Sequence, residues 1–233
     1  MTSLRWVRQT LWEVSPRDHR QAPGAFRRRQ VVSAAFIALG GVVLAFSLRI
    51  EPGSAWFYPA TLALALVWTI GAFASGPIHL GRLGHPMTAD RPAARPVLPP
   101  VVLGALLAGI FIIGALLVRL FPSLAELVRL VLAHANEGSA VILLGVTILN
   151  GIAEELFFRG ALYSAVPVRP VLVTTVAYAL TTAATGNVML AFAALVLGFV
   201  VGLERRATGG ILAPILTHLV WSVTMLYALP ALL

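Results

Sequence analysis

Two adjacent carboxylates and one guanidinium, Glu154, Glu155 and Arg159, sit inside the apolar stretch NGIAEELFFRGA (150–161). Ionisable groups in an apolar span are costly and mark function by default. On a helix Glu155 and Arg159 are i and i+4, so they share a face and can form a neutralised pair that makes burial tolerable. Glu154 is turned by about 100° from that face. Its i−4 neighbour is Asn150, a candidate hydrogen-bond partner. Glu154 is therefore the carboxylate left over, and general-base activation of water is the chemistry it suits. The structural alternative is that Glu154 accepts a hydrogen bond from a neighbouring helix.

Two later helices repeat the i, i+4 spacing with polar residues, Tyr178 with Thr182 and His218 with Ser222. Glu154 lies 14 residues before Val168 and Thr182 lies 14 after it, so straight helices would set the two at one depth. His218 falls early in the last apolar run, roughly 12 Å from the same side. A lone span histidine often serves packing alone; here the matched depth points to a shared cavity opening to the cytoplasm.

The elements that must position these groups are membrane spans. Of 233 residues, 59% are hydrophobic and 11% charged, with a mean hydropathy of +0.90. Soluble domains carry about 25% charge. The expected class is an all-α, polytopic helical membrane bundle of about seven spans. Spans are expected at 31–48, 56–75 and 99–119, then a long segment from Ser139 to Val166. A hairpin of two short helices follows, 170–184 and 188–203, and a last span at 210–229. The segment 121–138 reads as an outer amphipathic helix, and Trp6, Leu11 and Trp12 as a short interfacial one. Three regions result: an arginine-rich cytoplasmic tail (1–30), N-terminal spans and loops (31–138), and a core (139–233). The tail reads as no cleavable signal, because no small-residue cleavage site follows the first apolar run.

Residue usage excludes several chemistries. The chain has no cysteine and no lysine, all 17 basic residues being arginine. Thiol nucleophiles, Schiff bases and serine–lysine dyads are excluded. The only aspartates, Asp18 and Asp90, lie in connecting segments, so a paired-aspartate protease is not expected. HExxH does not occur. His79 and His85 share a loop and read as solvated rather than as metal ligands. Ser222 with His218 on one helix lacks the GxSxG context of a serine nucleophile, and no paired broken helices speak for a transporter. The pI near 11.4 reads as arginine-rich cytoplasmic loops, including Arg82, Arg91 and Arg95, facing anionic lipid rather than nucleic acid. The arginine pattern places the N-terminus in the cytoplasm and, after seven spans, the C-terminus outside.

EELFFR has the form EExxxR. It resembles the first motif of the CAAX prenyl protease and bacteriocin-processing family of membrane endopeptidases, also called the abortive-infection family. The stretch LGFVVGLERRATGGILAPILTHLVWS is similar to that family's final region, where a glycine-rich, arginine-bearing turn leads into a helix with HxxxN. The resemblance covers roughly 139–229. It implies a multi-pass cell-membrane protein with an intramembrane site that cleaves peptide bonds of membrane-associated substrates, prenylated CAAX tails among them. It implies that Glu154 is the base, that Glu155 and Arg159 support it, and that His218 donates to the oxyanion. Some members are described as metalloproteases; the ligand set here is thin, and no cofactor is expected.

The chain departs from the pattern at three motif positions. Tyr178 and Thr182 stand where FxxxH has its Phe and its water-activating His, and Ser222 stands for the Asn of HxxxN. Threonine cannot take a proton from water near pH 7, and serine is a shorter oxyanion donor than an amide. Base assistance is worth about 10²–10⁴ in rate and one oxyanion donor about 10²–10³. The expected function is thus a slow intramembrane protease, with a non-catalytic relative that binds a membrane peptide or partner protein as the alternative.

Overall fold

The structure is a computed structural model that describes residues 7–15, 21–81, 97–136 and 139–233. Expectations resting on Trp6, Asp18, Arg82, His85, Asp90, Arg91 and Arg95 lie outside these residues. Among the described residues every regular element is helical. A five-residue wide turn, Arg8–Trp12, precedes α1 (Pro23–Ser47), α2 (Phe57–Ser75), α3 (Leu98–Val118) and α4 (Pro122–Asn136). Then come α5 (Ala140–Glu154), a π-helical segment (Glu155–Leu162), the single turn α6 (Tyr163–Ala165), α7 (Pro170–Ala183), α8 (Val188–Thr208) and α9 (Leu212–Leu232).

Local sequence explains several boundaries. Proline opens α1, α4 and α7, where a missing N–H costs nothing. The Asn187 side chain caps α8 by accepting from the backbone N–H of Met189 (3.0 Å) and Leu190 (3.2 Å). Gly209, at φ 71°, stops α8 in the left-handed conformation that favours glycine.

Hydrogen bonds between distant segments define the two ends of the bundle. At one end Ile211 and Leu212 donate to the carbonyls of His79 and Leu80, Ser15 donates to Arg206 O, and Gln30 donates to Ala165 O. At the other end Asn187 donates to Leu127 O, Ser139 to Tyr58 Oη, and Arg129 to Leu233 O. The described residues therefore run end to end seven times. Six of these passes are long and apolar enough to cross a membrane; α7, with 14 residues, is the short one.

The hairpin differs from the expectation of two short helices. Only α7 is short, while α8 has 21 residues and carries Glu204, Arg205 and Arg206 inside the helix. Charge does not end α8, because Glu204 and Arg205 turn into the bundle, where they are 0% and 4% exposed. Likewise α1 starts at Pro23, so Arg27–Arg29 belong to a span rather than to a tail.

The core that supports the site is aromatic. Trp68 of α2 is 1% exposed and stacks at 4.8 and 5.1 Å on Phe157 and Phe158 of the π segment. Its indole lies against Gly40 of α1, where any Cβ would overlap the ring. Gly40→Ala should therefore destabilise the protein by about 1–3 kcal/mol through overpacking. Gly109→Ala, at a position with nothing within 4 Å of a Cβ, should be neutral or stabilising by up to about 1 kcal/mol. Unfolding in detergent, followed by Trp fluorescence, checks both; equal stability of the two variants would refute the tight α1–α2 contact.

Candidate active site

The site is built where α5 changes pitch. From Glu155 to Leu162 the backbone adopts wide turns, with all but Leu156 buried. A π turn closes i→i+5 rather than i→i+4, so it packs more residues into each unit of length than an α-helix does. The segment is surrounded by protein rather than lipid, which is where an irregular helix is tolerated at membrane depth.

Glu155 and Arg159 are both fully buried, and Arg159 Nη1 donates to Glu155 Oε1 at 3.0 Å. His218 Nδ1 lies 2.7 Å from the same oxygen. The His218 side chain is 6% exposed. Because that oxygen belongs to a carboxylate already paired with Arg159, Nδ1 is the donor, and Nε2 is turned away from Glu155. Nε2 is 4.0 Å from Glu154 Oε2. The Tyr178 hydroxyl donates to Glu154 Oε2 at 2.5 Å. Glu154 keeps 16% of its side-chain surface exposed, whereas Glu155 keeps none. One carboxylate is thus enclosed and the other is reachable.

Small residues permit this convergence. A Cβ at Gly151 would come within 3.2 Å of Leu219 and 3.7 Å of His218, so glycine lets α9 close on α5. A Cβ at Gly198 would come within 3.0 Å of Arg159 Nη2 and 3.2 Å of the Tyr178 ring. Arg159 occupies that space, its guanidinium 4.9 Å from the Tyr178 ring centroid, a distance at which the ring face attracts the cation.

The structure brings together Glu154, Glu155, Arg159, Tyr178 and His218. Among the described residues, no hydrogen bond joins the side chains of Asn150, Thr182 or Ser222 to the side chains of this cluster. Asn150 donates to Val146 O, not to Glu154. Thr182 donates to Tyr178 O at 2.9 Å, and Ser222 reaches Leu219 O at 3.4 Å, each on its own helix. The hydrogen bond across the α5–α7 contact goes to Tyr178, four residues nearer the turn than Thr182. The π segment supplies a reason: its shorter rise brings Glu154 closer to the turn than a straight-helix count allows.

Sequence reasoning missed Glu204 and Arg205. Arg205 Nε donates to Arg159 O at 2.7 Å, and its guanidinium lies 4.8 Å from the Tyr163 ring centroid. Glu204 is fully buried beside Thr217, with neither oxygen in hydrogen-bond geometry to a described residue. The Thr217 hydroxyl donates to Pro100 O instead. The available signal was the absence of a turn before Gly209–Gly210, which keeps both residues helical. Among the described residues no group of three His, Asp or Glu is placed to share a metal ion. Glu155 Oε1 is already committed to Arg159 and His218, so the donor set does not fit one.

The fold and the cluster define a polytopic helical membrane protein with an ion-paired glutamate–histidine–arginine site between its helices. Residues 136–224 match the family model described as type II CAAX prenyl endopeptidase Rce1-like, and this part of the chain is similar to that family. The match runs from the end of α4 into α9 and includes every residue of the cluster. No curated protein and no solved structure matches the chain.

The two glutamates should separate in stability. Glu155→Gln removes the ionised acceptor shared by Arg159 and His218 and should cost about 3–5 kcal/mol. Glu154→Gln keeps an amide oxygen for Tyr178 and should cost no more than about 1 kcal/mol. Denaturation midpoints in detergent check the order, and its reversal would show that the enclosed charge is Glu154.

Proposed function

We propose that this protein is an intramembrane endopeptidase that hydrolyses a peptide bond of a membrane-associated substrate, with prenylated tails as the class to test first. The match of residues 136–224 to a CAAX prenyl endopeptidase model supports a hydrolase. The observation that carries the mechanism is His218 standing between the two carboxylates, bonded to Glu155 and facing Glu154 at 4.0 Å. A water within hydrogen-bond distance of both Nε2 and Glu154, about 2.8 Å, is oriented by the imidazole and loses its proton to Glu154 as its oxygen attacks the scissile carbonyl carbon. Glu154 then gives that proton to the leaving nitrogen as the C–N bond breaks. Glu155 fixes the imidazole, Arg159 neutralises Glu155, and Tyr178 holds Glu154 in place. His218 in this arrangement does part of the work that FxxxH relatives assign to the histidine replaced here by Thr182.

A second reading, a non-catalytic peptide-binding relative, is favoured by one observation. The hydroxyls of Thr182 and Ser222 are turned to carbonyls of their own helices, so neither is directed at a substrate oxyanion. The full-length protein in liposomes, given a farnesylated CAAX peptide, separates the two. Cleavage detected by mass spectrometry should fall by about 10²-fold or more in Glu154→Gln and in His218→Ala, with peptide retention unchanged. Retention without any cleavage by the wild-type chain would establish the binding reading instead.

The arginine-bearing end, with Arg28, Arg169 and Arg206, faces the cytoplasm in this proposal, which follows the positive-inside rule. Seven passes then put Leu233 outside. Reporter fusions at residue 2 and after Leu233 should report opposite sides; a shared side would overturn the orientation.

A further inference from the structure

The arginine-bearing end of α1 forms a polar site apart from the Glu154 cluster. An open cleft of about 880 Å³ lies between the start of α1 and the end of α2, walled by Gln21, Arg28, Arg29 and the Ser75–Pro77 turn. Arg29 is 1% exposed although its group is charged. Its Nη2 donates to Pro77 O at 3.1 Å. With its amide oxygen turned toward the guanidinium, Gln21 accepts from Nη2 and Nε. Nη1 remains buried without a hydrogen-bond partner among the described residues. A buried cationic donor left without an acceptor is costly, so it implies an anionic partner.

Four further features point the same way. Arg28 is exposed on the cleft wall. The α1 N-terminus has no side-chain cap, and Gly24 and Ala25, in its first turn, line the cleft. Their backbone N–H groups have no intrahelical acceptor and carry the positive end of the helix dipole. No described carboxylate lines the cleft. His79, just beyond it, is held below the usual histidine range by partial burial and by the charges of Arg205 and Arg29, a sign of local positive potential.

Position selects the kind of anion. α1 has 25 residues and is about 37 Å long, against a hydrocarbon core of about 30 Å. Its first turns therefore stand at headgroup level. Phe73 and Ala74 give the cleft an apolar wall on the membrane side. We propose that this cleft binds the phosphate of one anionic phospholipid headgroup, with Arg29 Nη1, Arg28 and the N–H groups of Gly24 and Ala25 as donors. The site is independent of the proposed peptidase activity.

The test uses the delipidated full-length protein in neutral detergent. Phosphatidylglycerol, phosphatidylcholine with the same acyl chains, and inorganic phosphate are titrated separately, with native mass spectrometry and thermal unfolding as readouts. One phosphatidylglycerol should be retained with at least about tenfold preference over phosphatidylcholine, and unfolding should shift upward with it. Gly24→Asp is the decisive variant. A Cβ there meets nothing within 4 Å, and a carboxylate suits a helix N-terminus, so the protein should fold. The carboxylate would nevertheless repel the phosphate, and retention should fall about tenfold. Arg27→Gln changes net charge by the same amount outside the cleft and should leave retention within about twofold. Equal loss in these two variants, or no preference between the lipids, would overturn the site. A shift given by inorganic phosphate and not exceeded by phosphatidylglycerol would overturn the lipid assignment.

Discussion

One oxygen atom organises the interior. Glu155 Oε1 receives both Arg159 and His218, and a fully enclosed carboxylate is tolerable only with such a counter-charge and such hydrogen bonds. Meeting this requirement fixes four segments at once. α9 must come close enough to deliver His218, which Gly151 permits. Arg159 must lie between α7 and α8, which Gly198 permits. The backbone at Arg159 is then tied to α8 through Arg205. Aromatic packing of Trp68 on Phe157 and Phe158 closes the opposite side of the π segment.

The same constraint separates the two glutamates. Glu155 has its charge satisfied from within the protein and no surface left. Glu154 has one phenol donor, one imidazole 4.0 Å away and some exposed surface. Adjacent residues on a helix point in different directions, so a single EE pair places one carboxylate in the framework and presents the other to the space beside it. Neither position can take over the other's role without rotating the helix.

The architecture was legible because hydropathy reports span length directly, and the Glu155–Arg159 pair was legible because i, i+4 contact survives a change of helix pitch. Depth matching across the 166–169 turn was less secure. It assumed ideal rise, and the wide turns after Glu154 shortened that strand of the argument, so Tyr178 rather than Thr182 donates to Glu154. The His218–Glu155 contact depends on the approach of two helices 63 residues apart in sequence, which periodicity cannot report. Asn150 was assigned a partner from spacing alone, yet an amide donor inside a helix also has the i−4 carbonyl within reach, and here it takes that one. The expected second hairpin helix ended at 203, before Glu204 and Arg205, whereas α8 continues to Thr208. Tertiary contacts reversed that inference.

The departures on α7 belong together physically. A phenylalanine at 178 would fill the space beside Phe158 and the Arg159 guanidinium but offer Glu154 nothing. Tyrosine keeps that packing, with its ring 4.8 Å from Phe158 and 4.9 Å from Arg159, and adds a hydroxyl that reaches the carboxylate. Thr182, on the same helix, spends its hydroxyl on the backbone one turn back. The α7 face thus offers the cluster a fixed donor and no carboxylate or imidazole. Glu154 on α5 and His218 on α9 then face each other at 4.0 Å, while α7 contributes a fixed donor through Tyr178. A site so divided gains pre-organisation from the phenol, which holds its carboxylate in one direction.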